Sequence, residues 1–268
     1  MKRIIILFLF LLIFLSIPVV TSAAELTLYY PPDWAERAPK AKAIAEALSQ
    51  SSGLTIQPRI AQSRPEIIEA FSQRKPALVF VGSFVQAMLF RRGLSVPIVQ
   101  GVNGKEFYTS VLIAPSSAGT DPKTIVKNAG SAVAYAKGTS AGESAAKAAT
   151  GGKAEIAMDN PTAAVNAVKT GRAKCAFVKK SWWEERRANF EGINHFDYPG
   201  VSEYRHPDLV LSANKAVSSE DLVRIKLAAL KNANVFGVRF FREFDPSLLE
   251  PTIDLMKRGK IDPKTYTW

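Results

Sequence analysis

One stretch, residues 131–148, most constrains the fold, and it reads SAVAYAKGTSAGESAAKA. Its pattern predicts a short β-strand over residues 131–135, a turn of small residues over 138–142, and an Ala-rich helix over 143–149. A strand that turns directly into a helix leaves free backbone N–H groups at the helix start, and the helix dipole favours negative charge there. The stretch therefore predicts an α/β unit with a candidate anion site at this turn.

Small polar residues fill the turn. Thr139 and Ser140 contribute two hydroxyl groups, which would cap the helix, bind a ligand, or do both. The known phosphate-binding motifs do not fit, because no Lys follows the last Gly, Gly142, and the G-x-G-x-x-G spacing is absent. The stretch by itself leaves an ordinary helix cap and an anion site both open.

The N-terminus has the pattern of a secretory signal. Two basic residues precede an apolar run over residues 4–20, and Ala23 and Ala24 supply small residues for cleavage. An uncleaved membrane anchor is the alternative, but a Ser and a Pro interrupt a run that is short for a membrane span. We therefore predict a cleaved signal over residues 1–23 and a periplasmic protein, without a lipid anchor because no Cys directly follows the signal.

Composition narrows the class of function. The chain has 35 Lys and Arg against 24 Asp and Glu, and this excess is spread along the sequence, which favours general attraction to anions over a nucleic-acid footprint. Cys175 is the single cysteine, so no internal disulfide forms, and its apolar run predicts a core position. His195 and His206 lack metal-ligand spacing, so we predict neither a metal nor a cofactor.

Strands alternate with helices along the remaining chain, which predicts α/β domains with largely parallel sheets flanked by helices. Residues 77–81 form a continuous apolar run, as expected for a strand covered on both faces. Gly82 and Ser83 then turn this strand into a helix, the same strand, small residue and helix pattern as at Thr139.

The order of segments resembles the phosphonate-binding type of periplasmic solute-binding protein, the substrate-binding component of certain ABC importers. The matching segments read FYTSVLIAPSSAG, VAYAKGTSAGESA, NPTAAVNAVKTGRAKCAFVKKSWW and HPDLVLSANKAVSSEDLVRIKLAAL. The resemblance implies a type II periplasmic-binding fold, in which two α/β lobes are joined by two crossover segments and hold ligand between them. Residues 24–105 and 205–268 would form the first lobe, and residues 106–204 the second.

The resemblance also implies a set of ligand-binding residues. The phosphate-contacting loop corresponds to Thr139, Ser140 and Gly142. The helix start of the first lobe corresponds to Ser83, and Tyr108 lies on the first crossover strand. The other candidates, expected at the cleft because they follow or end strands, are Tyr30, Trp34 and Asp159. These positions agree with the rule that open α/β sheets bind ligands beyond the carboxyl ends of their strands.

One departure from the family bears on the ligand. Family members that bind aminoalkylphosphonates often carry an acid in the loop after the strand at residues 174–178, but here that loop reads KKSWW. Asp159 and Asp33 remain as possible acids, although either would also serve as a helix cap. This departure leaves an oxyanion or an unrelated small molecule open, and we expect a phosphonate, a phosphate ester or another small oxyanion as the ligand.

The resemblance implies a monomeric transport protein that delivers its ligand to a membrane permease. The alternatives are a sensor protein that passes ligand occupancy to a membrane sensor or to a redox partner, and an enzyme of the same fold. An enzyme is disfavoured because neither histidine has metal-ligand spacing with another His, Cys or carboxylate. The sensor uses the same ligand-driven closure, so the sequence does not separate it from transport.

Overall fold

The computed structural model describes residues 25–268, so the predicted signal segment lies outside the described residues. Within them the strands form two sheets and one short pair. The first sheet consists, in spatial order, of β13 (Phe240–Glu243), β4 (Ser95–Val102), β12 (Val210–Asn214), β3 (Ala77–Val81), β1 (Leu26–Tyr30) and β2 (Ile56–Ile60). The second sheet consists of β10 (Ile193–Phe196), β6 (Ser110–Pro115), β9 (Cys175–Lys179), β7 (Val133–Ala136) and β8 (Ile156–Met158).

Each sheet has a parallel part and an antiparallel part. In the first, β1 runs parallel to β2 and β3, whereas β12 runs antiparallel to β3 and β4. In the second, β7 runs parallel to β8 and β9, whereas β6 runs antiparallel to β9 and β10. The predicted α/β fold is thus confirmed, but the sheets are mixed rather than largely parallel, because the strands next to the crossovers between the lobes pair antiparallel with their neighbours.

Helices flank both sheets. The first lobe has α1 (Ala38–Ser52), α2 (Arg64–Ser72), α3 (Ser83–Arg91), α8 (Ser219–Lys231) and α9 (Ala233–Phe236). The second has α4 (Pro122–Ala129), α5 (Ala145–Ala149), α6 (Pro161–Lys169) and α7 (Lys180–Arg186). The last helix is α10 (Glu250–Arg258). Side-chain caps begin several of them, namely Ser63, Asp121, Asn160 and Ser218, because each accepts a hydrogen bond from an otherwise unpaired N–H group.

Apolar side chains cover both faces of each sheet. All five residues of β3 are buried, as the continuous apolar run predicts. Helix α10 packs between the lobes, since Leu255 joins the core of the second lobe and Met256 joins the core of the first. Cys175 is buried as predicted, and burial raises the pKa of its thiol to about 12. Within residues 25–268, no helix combines the length and apolar character that crossing a membrane requires.

The two crossovers meet as a pair of short antiparallel strands, β5 (Phe107–Tyr108) and β11 (His206–Pro207). The first sheet draws its strands from residues before and after this pair, and the second sheet from residues between, so we propose the lobe boundaries at residues 105 and 205. His206 is fully buried in the pair, with its ring 5.3 Å from the Tyr108 ring. Its Nδ1 lies 2.8 Å from Thr252 Oγ1.

The buried His206 predicts a loss of stability in mild acid. Burial lowers its pKa from 6.5 to about 3, so the folded protein keeps the imidazole neutral while the unfolded chain takes up a proton near pH 6.5. This contribution to stability is complete above pH 6.5 and is lost as the pH falls towards 3. The free energy of unfolding therefore falls by about 2 kcal/mol between pH 7 and pH 5. Urea unfolding at both pH values measures it, and a His206→Gln variant with the wild-type pH dependence would contradict the assignment.

Candidate functional site

A cavity of about 210 Å³ lies between the two lobes. Its walls are formed where β1 and β3 of the first sheet and β7 and β9 of the second sheet end, together with the crossover pair. These are the carboxyl ends of parallel strands, where α/β sheets bind ligands. Pockets for drug-sized ligands usually measure about 300–1,000 Å³, so this cavity suits a smaller molecule.

Three hydroxyl groups from three parts of the chain converge on the cavity. Ser83 Oγ lies 2.7 Å from the Tyr108 hydroxyl oxygen and 2.8 Å from Ser140 Oγ. Ser83 begins α3 in the first lobe, Tyr108 lies on a crossover strand, and Ser140 belongs to the second lobe. Burial raises the pKa of Tyr108 above its usual range, so its hydroxyl remains a neutral hydrogen-bond donor. The structure therefore brings these predicted residues together across the cleft.

The start of helix α3 faces the same cavity. Gly82 is its N-cap and no side chain caps it in the described structure, so the first N–H groups of this nine-residue helix face the cavity without a side-chain acceptor. Ser83, Phe84 and Val85 all line the cavity. Free N–H groups and the positive end of the helix dipole favour an anion at this position.

The loop at residues 138–142 is built differently from the prediction. A π-helical turn over Ser140–Ser144 precedes α5, and neither predicted hydroxyl caps it. Thr139 Oγ1 instead donates to the Ala136 carbonyl oxygen at 2.7 Å, while Ser140 reaches Ser83. The helix-cap interpretation is therefore wrong for both side chains, because each hydroxyl has another partner.

Two glycines permit close packing in this loop. Gly138 has a φ of +71°, and a Cβ there would lie 2.4 Å from Arg64 Cδ. A Cβ at Gly142 would lie 2.5 Å from Thr139 Oγ1. The N–H of Gly138 donates to Glu143 Oε2 at 2.6 Å, so one of the backbone donors predicted to be free is already paired.

Two ion pairs line the cavity. Lys179 Nζ lies 2.7 Å from Asp208 Oδ2 and 4.5 Å from the centre of the Tyr108 ring. Arg64 Nη2 lies 3.2 Å from Asp33 Oδ1, and the Arg64 side chain is only 15% exposed. Each carboxylate that lines this cavity therefore has a basic partner that lines it as well.

Trp34 and Tyr30 take different positions. Trp34 lines the cavity and stacks on Tyr30 with 4.6 Å between the ring centres. Tyr30 was expected in the cleft, but it is fully buried in the core of the first lobe, and its hydroxyl donates to the Ala41 carbonyl oxygen at 3.2 Å. It faces the same side of β1 as Leu26 and Leu28, and it does not line the cavity.

Asp159 is likewise not brought to the cavity. It lines a neighbouring groove together with Lys137 and Trp268, and this groove shares Asp33 and Arg64 with the cavity. Six of the eight predicted residues thus line the cavity, namely Ser83, Tyr108, Thr139, Ser140, Gly142 and Trp34. Trp182 also lines it, whereas Trp183 is buried.

Arg64 and Asp208 were not among the predicted site residues. Arg64 follows the cap Ser63 shortly after β2 ends, so the strand-end rule would have placed it near the cleft. Asp208 directly follows the crossover strand β11. No local pattern indicated that either side chain pairs with a base or acid inside the cavity.

Comparison with known proteins identifies the family. The profile described as "ABC transporter, phosphonate, periplasmic substrate-binding protein" matches residues 33–234. A search of curated protein sequences returned no match.

Solved structures show the same fold at low sequence identity. A binding protein component of an ABC phosphonate transporter from Pseudomonas aeruginosa has a TM-score of 0.68 and 14% identity, with 88% of this chain and 87% of that chain covered. PhnD1 from Prochlorococcus marinus, solved in complex with methylphosphonate, has a TM-score of 0.68 and 12% identity, with 88% and 98% covered. XAC2383 from Xanthomonas citri, solved with ATP, has a TM-score of 0.69 and 12% identity, with 89% and 98% covered. With most of its length matched by the profile, the chain belongs to the family of periplasmic substrate-binding proteins of phosphonate ABC transporters.

Proposed function

We propose that this protein captures a small anion with a phosphonate-like or phosphate-like head between its lobes and delivers it to the permease of an ABC importer. The observation that carries the proposal is the hydroxyl cluster of Ser83, Tyr108 and Ser140 at the start of helix α3. A phosphonate presents three oxygen atoms, which are strong hydrogen-bond acceptors. Because the three hydroxyls come from both lobes and the crossover, all three reach one ligand head only when the lobes are closed.

The charged side chains of the cavity further restrict the class of ligand. Asp33 and Asp208 are both paired with bases, so neither offers a free carboxylate to a ligand ammonium group. A small anion without an amine, such as methylphosphonate, fits both this charge distribution and the modest volume. PhnD1, which shares the fold, was solved with methylphosphonate.

Arg64 brings further guanidinium N–H donors to the cavity when the lobes are closed. It belongs to the first lobe, yet its side chain packs against Gly138 of the second lobe and lines the cavity. A guanidinium group next to the loop favours a bound anion. The hydrogen bond to Asp33 orients the Arg64 side chain. We propose Arg64 as a ligand-binding residue alongside Ser83, Tyr108 and Ser140.

In this proposal the protein binds its ligand and does not convert it. It is a periplasmic monomer, released by cleavage of the signal after Ala23 or Ala24. Membership of a substrate-binding family supports this role. Mass spectrometry of the native protein should give a chain that begins at Ala24 or Glu25. An intact N-terminus in the membrane fraction would contradict the cleaved signal.

Methylphosphonate is expected to bind the purified protein and to be recovered unchanged. Calorimetry measures the affinity, ³¹P NMR of the released compound tests for turnover, and small-angle scattering measures lobe closure. Ser83→Ala should weaken binding about tenfold, because it removes a hydroxyl that would serve a charged acceptor. Saturable binding without compaction would argue against closure, and the absence of binding to any phosphonate or phosphate ester would contradict the proposed ligand class.

A further inference from the structure

We infer that Glu143 and Tyr266 are positioning residues, which hold the loop at residues 138–142 in place by joining it to the C-terminal segment, residues 262–268. Glu143 Oε2 accepts the Gly138 N–H at 2.6 Å, and Glu143 Oε1 accepts the Tyr266 hydroxyl. Neither side chain lines the cavity. The inference therefore goes beyond the proposed function, because it concerns what fixes the loop rather than what touches the ligand.

The charge of Glu143 is compensated inside the protein. Its side chain is only 1% exposed, and Lys147 Nζ lies 3.3 Å from Oε1. The Lys147 ammonium lies 5.4 Å from the centre of the Tyr266 ring and 5.9 Å from that of Tyr135. A buried carboxylate is tolerated only when it is paired and hydrogen-bonded, so the loss of one donor weakens the whole network.

Tyr266 is anchored on the opposite side of the cleft. Arg92, which directly follows α3, donates from Nε to the Pro263 carbonyl oxygen at 3.0 Å and from Nη2 to the Tyr266 carbonyl oxygen at 2.6 Å. The Tyr266 ring packs edge-on against Phe84, with 5.9 Å between the ring centres. Phe84 follows Ser83 and lines the cavity. Tyr266 consequently connects the helix start in the first lobe with the loop in the second.

The hydrogen bonds through Glu143 imply that the loop at residues 138–142 and the C-terminal segment stabilise each other. Once the Gly138 N–H is held by a fixed carboxylate, the conformation of the loop depends on how firmly Glu143 is held. Closure of the loop around an anion must then stabilise the C-terminal segment, and the C-terminal segment must stabilise the loop to the same extent. The network thus links ligand occupancy to a segment outside the cavity.

Hydrogen exchange of the ligand-free protein tests the inference directly. Tyr266→Phe keeps the ring against Phe84 but removes the hydroxyl, so the Gly138 amide should exchange at least tenfold faster with little change in Tm. Glu143→Ala should accelerate exchange of the Gly138 amide more than Tyr266→Phe does. Glu143→Gln should fall between these two variants, because it keeps an oxygen acceptor for the Gly138 N–H. Wild-type exchange at Gly138 in Tyr266→Phe would overturn the inference.

Tyr204→Phe is the matched control. The Tyr204 hydroxyl also donates to a carboxylate, that of Asp254, and the Arg258 guanidinium lies 5.4 Å from the centre of its ring. This trio repeats the chemistry of Tyr266, Glu143 and Lys147, but its hydrogen bonds reach Gly200 and not the loop at residues 138–142. Tyr204→Phe should leave exchange at Gly138 unchanged. Equal acceleration in Tyr204→Phe would show general loosening and would also overturn the inference.

Methylphosphonate provides the second arm of the experiment. At saturation it should slow exchange over residues 262–268 in the wild type, and Tyr266→Phe should abolish this protection and weaken binding about tenfold. If the wild type binds no methylphosphonate while exchange at Gly138 still accelerates in Tyr266→Phe, the positioning role stands and the proposed ligand is wrong. If binding and protection are identical in both proteins, the coupling is refuted and the proposed function stands.

Discussion

Replacing Ser140 with aspartate is expected to weaken methylphosphonate binding at least a hundredfold. The side chain is fully buried, and its hydroxyl lies 2.8 Å from that of Ser83, inside the cluster proposed to hold the anion. Two negative charges 4–5 Å apart in a partly desolvated cleft repel by on the order of 3–4 kcal/mol. Ser140→Ala removes one hydrogen bond to a charged acceptor, about 1.5–3 kcal/mol, and should therefore be the milder change.

The Ser140→Asn variant distinguishes the effect of the added charge from the effect of the larger side chain. Asparagine has almost the volume of aspartate, so both variants disturb the packing around Ser83 to a similar degree, but only aspartate adds a charge. Calorimetry with methylphosphonate and a thermal melt should be run on the alanine, asparagine and aspartate variants together. An aspartate variant that melts like the asparagine variant and binds equally well would refute an anion site at this loop.

Replacing Lys179 with methionine is expected to change which ligand the protein prefers. In the wild type Lys179 pairs with Asp208 at 2.7 Å, so methylphosphonate should bind more tightly than 2-aminoethylphosphonate. Methionine keeps a similar length but leaves the Asp208 carboxylate free to accept a hydrogen bond from the ligand ammonium group. Such a charged hydrogen bond contributes about 1.5–3 kcal/mol, so the ratio of the two affinities should move towards the amine on the order of 10–100-fold.

Lys180→Met is the control for this experiment. Lys180 is the next residue in the chain, but it pairs with Asp197 at 2.8 Å and does not line the cavity. Its loss removes the same charge from the protein as a whole and should leave the ratio of affinities unchanged. A shift of equal size in Lys180→Met would assign the effect to net charge, and no shift in Lys179→Met would exclude Asp208 from ligand selection.

The sequence by itself predicted the alternation of strands and helices and six of the residues that line the cavity. The apolar run of β3 and the turn at Gly82 are local patterns, because a buried strand and a tight turn each need particular residue types at adjacent positions. Parallel strands then bring their carboxyl ends to one edge, which places Ser83 and Ser140 near the cleft without knowledge of the packing. The order of segments also identified the family.

The tertiary structure decided the partners of these side chains. Ser140 binds Ser83, 57 positions away, and Glu143 takes the Gly138 N–H and the Tyr266 hydroxyl, so no helix-cap pattern describes the loop. Tyr30 is the residue that was predicted to lie in the cleft but is buried in the core of the first lobe. The alternation of β1 already placed it on the buried face, but whether its hydroxyl had an acceptor there depended on how α1 packs. Local sequence sets which side chains share a face, whereas the partner of a buried polar atom depends on how distant elements pack together.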